Sequence, residues 1–160
     1  MTRPAPRLVS AIGVTLAALG VVGAAGLPWG EHTLAVSRDL GGGVGEFLTT
    51  GWSGRLILGP LWLPNRLVVF AAGIVCWCCW LRAIGVGRIP AALPILFALY
   101  GVAHAGAMVF LFSGGPRARV GPGAPLAVLA FVAMLVLIAR DLVVTPGGRR
   151  GGRADGPRRS

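Results

Sequence analysis

No lysine occurs in these 160 residues; all fifteen cations are arginine. Acidic residues are scarce too, five in all, and charged residues make up only 12% of the chain. A soluble domain carries about 25%. With 55% hydrophobic residues and a mean hydropathy of +0.77, the chain lacks the polar surface to coat a soluble globule. It reads as an integral membrane protein. Despite 26 glycines and 12 prolines there is no collagen period, and low-complexity composition is confined to the C-terminal tail. Arginine without lysine, alongside much alanine, glycine, valine and proline, points to a GC-rich bacterial coding bias.

The net charge of +10 invites a nucleic-acid reading. The distribution excludes it, because the arginines fall in short clusters between apolar stretches, where they set membrane topology. No nucleic-acid partner is expected.

What is present is four long apolar runs. A bilayer core of about 30 Å needs about 20 apolar residues as helix. Residues 8–27, 65–84, 90–112 and 124–144 meet that need. The fold class expected is all-α: a polytopic four-helix transmembrane bundle with a Trp-containing outer loop, 28–64, and a disordered Arg-rich tail, 146–160. The membrane domain then covers 1–145. The first apolar run, 20 residues, exceeds the roughly 7–15 of a signal peptide, so it is expected to remain as a span.

If the N-terminus is cytoplasmic, ten arginines lie inside (3, 7, 82, 88, 140, 149, 150, 153, 158 and 159) and five outside (38, 55, 66, 117 and 119). The ratio places both termini in the cytoplasm of a bacterial inner membrane, although the loops alone, two against five, favour the reverse. The tail arginines are expected to be solvated, or to meet anionic lipid headgroups.

Lipid is as apolar as leucine, so small residues must let these helices approach one another. The first span offers Ser10, Gly13, Ala17, Gly20 and Ala24, and the third Ala91, Pro94, Ala98, Gly101 and Ala105, at alternating spacings of three and four. On the second span Ala72, Cys76, Cys79 and Ala83 do the same. All three cysteines lie in "CWCC", and Cys78 falls about 200° around the helix from Cys76. The thiols do not converge, and no metal or other cofactor is expected. Cys76 and Cys79 read as packing residues, with a membrane thiol oxidoreductase as the chemical alternative. Trp77 and Trp80 read as an inner aromatic belt, and Trp29 and Trp62 as its outer counterpart. The short turn at 85–88 makes spans two and three an antiparallel hairpin.

Few residues carry chemistry. His104 stands about 21 Å along its helix from Pro90, near mid-membrane, with Tyr100 one turn earlier on the same face. An ionisable group there is a functional candidate by default. The bland alternative is a neutral histidine bonded to a neighbouring helix. Asp141 is expected to pair with Arg82 or Arg88 across the bundle. In the outer loop, Glu31, His32 and Trp52 are the candidate contact residues. "DLGGGVGEF" does not sit between a strand and a helix and is no nucleotide loop.

A basic N-terminus, "GLPWG" closing the first span, a Trp-containing outer loop and "VGPGAPL" before the last span together resemble small four-span actinobacterial membrane proteins of unassigned function. The four-helix plan with a Trp-bearing first outer loop is also similar to claudin-like proteins, whose paired loop cysteines this chain lacks. Small multidrug exporters share the four spans, but the glutamate they carry in the first span is missing here. The functional expectation is an accessory, interaction or scaffolding membrane protein rather than an enzyme. The rival readings are a small transporter or ligand-binding protein using His104 and Tyr100, and the thiol oxidoreductase.

Overall fold

The computed structural model describes residues 6–36, 43–58, 61–86, 89–114 and 118–144. Arg88 and the tail 146–160 lie outside the described residues.

Four helices form where the apolar runs predict them. They are α1 (Pro6–Gly26), α2 (Arg66–Ala83), α3 (Ala92–Ser113) and α4 (Gly123–Val144). All four are long and apolar enough to cross a membrane. They pack in a ring, α1 against α2, α2 against α3, α3 against α4 and α4 against α1, with little contact across the diagonal. The α2–α3 hairpin is therefore as expected. Its turn defines one end of the bundle, here the hairpin end.

The other end corrects the all-α expectation. Segment 28–64, read as a loop, contains four strands: β1 (Pro28–Val36), β2 (Gly43–Thr50), β3 (Arg55–Leu58) and β4 (Leu61–Pro64). A fifth, β5 (Ala118–Val120), precedes α4. β1 lies between β2 and β5, antiparallel to both, and β3 and β4 form a separate hairpin. The physical reason is in the sequence. "EHTLAV" and "EFLTT" mix β-branched and aromatic residues with polar ones in short runs, a pattern that fits a half-buried strand and is too short for a membrane helix. The sheets form a cap over the bundle, and the α1–β1 and β5–α4 connections leave no slack between them.

The predicted small-residue seams hold in α3, where Pro94, Ala98, Gly101 and Ala105 are all buried. Gly101 receives the ring of Phe131 from α4, with no space for a β-carbon. In α1 the seam faces α4. Ser10 and Ala24 are buried, Gly13 meets Leu137, and Gly20 faces Ala130.

In α2 the phase is different. The buried face is Val68, Ala71, Ala72, Val75 and Cys78, while Cys76 and Cys79 are half-buried. Cys78, assigned by spacing to another face, is the thiol that packs inward. The helix turns its branched apolar volume to the core, and Gly73 is left on an open side with nothing nearby.

Trp29 is a second correction. It was expected in an outer aromatic belt, but it is fully buried at the joint between cap and bundle. Gly51 and Gly123 clear the space for its ring, and its indole N–H donates to the Ala24 carbonyl at 2.9 Å. Trp62 is exposed, and so is Trp77 on the bundle surface.

Candidate functional site

The buried polar groups at the cap end centre on Asn65, the N-cap residue immediately before α2. Its side chain is fully buried. Nδ2 donates to the Thr50 carbonyl at 2.9 Å and to the Ser53 carbonyl at 3.1 Å, and its backbone N–H donates to the Gly54 carbonyl at 3.3 Å. One side chain thus gathers the turn after β2 onto the bundle. Gly54, at φ +89°, takes the left-handed conformation that this turn requires.

Those two carbonyls can only accept, so they fix which end of the Asn65 amide is the NH2. Its oxygen then faces His104 Nε2 at 3.1 Å, and only an Nε2–H can bond to it. His104 is therefore the Nε2–H tautomer. Its Nδ1 is left as an acceptor, filled by the Tyr100 hydroxyl at 3.2 Å. Tyr100 to His104 to Asn65 to the cap backbone is one continuous chain of hydrogen bonds. The Trp29 ring meets the imidazole edge-on, 6.5 Å between centroids, and shields it.

The structure thus brings together His104 and Tyr100, as the spacing predicts. Both lie in the middle of α3, and His104 meets the start of α2 because α3 runs on past that point towards the cap. Asn65 and Trp29 are the residues that sequence reasoning missed as partners. A signal for Asn65 existed: it is the single asparagine of the chain and stands directly before an apolar run.

At the hairpin end, Asp141 pairs with Arg82, Oδ2 to Nη2 at 3.7 Å. The expected pairing with Arg82 is therefore present. Arg82 also reaches the Ile89 carbonyl at 3.5 Å. The other carboxylate oxygen, Oδ1, is buried with no hydrogen bond from the described residues. A cavity of about 10 Å³ lined by Arg7, Ser10, Arg82 and Asp141 adjoins the pair, room for one water.

Thr15 organises the thiols' neighbourhood. Its single hydroxyl proton goes to the Ala11 carbonyl at 2.9 Å. It therefore accepts from Trp80 Nε1 at 2.9 Å and from the Cys76 thiol at 3.4 Å. The three cysteines are free thiols. Among the described residues no group of three or more His, Cys, Asp or Glu is arranged to hold a metal ion.

Of the outer-loop candidates, Glu31 is exposed and stands opposite Arg119 in the β1–β5 register. Trp52 is exposed in the turn after β2. His32 pairs through its backbone with Phe47 and Ala118, and its side chain lies outside the described residues.

Two larger hollows open to the surface. One, about 410 Å³, is an apolar groove between α1 and α2 that includes Ala18, Gly73 and Trp77. The other, about 380 Å³, lies on the cap and is lined by Trp52, Gly54, Arg55, Pro64 and Arg66. His104 and Tyr100 line neither of these, nor the cavity beside Asp141. No protein-family model, curated protein or solved structure matches this chain.

Proposed function

We propose that the chain is a bacterial inner-membrane protein with both termini in the cytoplasm, acting as an accessory or scaffolding protein that presents its β cap as an interaction surface outside the membrane. The observation that carries this reading is how the buried polar groups are used. Asn65, His104 and Tyr100 spend their hydrogen bonds on fastening the cap to the helices. The cap meanwhile exposes Leu48, Trp52 and Trp62. Aromatic side chains of this kind are enriched at protein interfaces.

Transport through His104 has less support. Both ring nitrogens are engaged, and a transported ligand would have to displace Asn65 or Tyr100. Thiol chemistry through Cys76 and Cys79 has less again, since both pack half-buried against the core and the Cys76 thiol is bonded to Thr15.

Site-specific photocrosslinking in cells tests the proposal. A photoreactive residue at Leu48, Trp52 or Trp62 is expected to give one discrete protein adduct, while one at Leu16 or Phe70 on the helix surface gives none. Adducts from the helix positions alone, or none at all, would reject the cap as the working surface.

A further inference from the structure

The recess on the cap holds two arginines and, among the described residues that line it, no acidic one. Arg55 and Arg66 both line it, and the ion pair found among the described residues, Arg82–Asp141, is at the opposite end of the bundle. Arg55 is held in place. It opposes Pro64 in the β3–β4 register, which puts it on the same face as Trp62, and its guanidinium carbon lies 4.5 Å from the centre of that ring. Such a cation–π contact orients the guanidinium without neutralising it. Arg66 is the first residue of α2, so it stands where the chain passes from cap to membrane span. Trp52 forms another wall.

Two guanidinium groups offer planar, paired donors that match the oxygens of a phosphate. The recess, about 380 Å³, has the size of a small-ligand site. Its level on the molecule is that of lipid headgroups if α2 spans the bilayer.

We infer that Arg55 and Arg66, with Trp52 as a wall and Trp62 holding the Arg55 guanidinium, form a binding site for a phosphate-bearing group at the membrane surface. The phosphate comes either from a lipid headgroup or from a soluble phosphoester. The site does not depend on the cap having a protein partner, so the two readings fail separately.

Native mass spectrometry of the full chain in neutral detergent decides it, with three probes: dioctanoyl phosphatidylglycerol, dioctanoylglycerol and glycerol 1-phosphate. Phosphatidylglycerol should be retained and dioctanoylglycerol not. Each of Arg55→Gln and Arg66→Gln should weaken retention about tenfold, as loss of a charge-assisted pair does. Arg119→Gln, an exposed arginine elsewhere on the cap, should leave it unchanged. Arginine-dependent retention of phosphatidylglycerol alone identifies a headgroup site, and retention of glycerol 1-phosphate as well identifies a site open to soluble phosphoesters. Equal retention by wild type and the Arg55→Gln/Arg66→Gln double variant overturns the inference. So does an equal loss in Arg119→Gln, which would indicate nonspecific charge attraction. Both glutamine changes are on the surface, and an unchanged melting temperature verifies that the variants are folded.

Discussion

His104 Nε2 lies 3.1 Å from Asn65 Oδ1, and both side chains are buried. This bond ties the middle of α3 to the start of α2 and, through Asn65 Nδ2, to the turn after β2. Leaving either partner unsatisfied in the interior costs about 1–3 kcal/mol. Asn65→Ala and His104→Ala should each lower the melting temperature in detergent. Their double variant should lose less than the sum, with a coupling of about 0.5–3 kcal/mol. His104→Gln keeps a donor and should lose less than His104→Ala.

The tautomer follows from the same geometry. Nitrogen NMR of ring-labelled protein should show His104 protonated at Nε2 and bare at Nδ1. Tyr100→Phe removes the donor to Nδ1 and should shift that nitrogen's resonance while leaving Nε2 protonated. A protonated Nδ1 with a bare Nε2 would mean that the Asn65 amide is turned the other way and that its contacts with Thr50 and Ser53 are misassigned.

The helices were legible because membrane spans announce themselves by length. Twenty apolar residues in a row have few other uses, and observed ends fall within two residues of those expected. The cap was less legible, because its strands are short and its pairings link distant segments. β1 pairs with β5 across about 90 residues, and no local pattern announces that. Trp29 sits beside a span end, as belt residues do, yet Gly51 and Gly123 take it into the core. Cys78 failed for a related reason. Small residues mark where helices approach closely only if bulkier ones do not claim the face, and Val68 and Val75 claim it in α2. His104 and Tyr100 are legible from their spacing, but spacing along one helix does not show that a neutral amide waits at the start of another.

Glycine substitutions separate close approach from open space. Gly101 lies under the Phe131 ring, so Gly101→Ala should cost about 1–3 kcal/mol by overpacking. Gly73 has nothing within 4 Å, so Gly73→Ala should be neutral or stabilising by up to about 1 kcal/mol. Melting curves of the two variants under identical detergent conditions compare them. Equal loss in both would refute the assigned α3–α4 contact.

At the hairpin end, Arg82→Met alone leaves the Asp141 carboxylate without its cation. Breaking a largely buried pair from one side costs about 3–5 kcal/mol, whereas replacing both members by apolar residues is often neutral. The Arg82→Met/Asp141→Leu variant should therefore be more stable than Arg82→Met. If the double variant is the less stable of the two, the pair is not what holds Asp141 in place.

The central claim is that Asn65 and His104 latch the cap to the helices, and hydrogen–deuterium exchange tests it most directly. The segment 49–54 carries the carbonyls that Asn65 binds, and the Gly51 N–H donates to the Ala25 carbonyl at 3.0 Å. In Asn65→Ala, amides of 49–54 should exchange faster than in wild type while those in the middles of α1 and α4 keep their protection. Unchanged exchange in 49–54, or equal loosening throughout the helices, would contradict it.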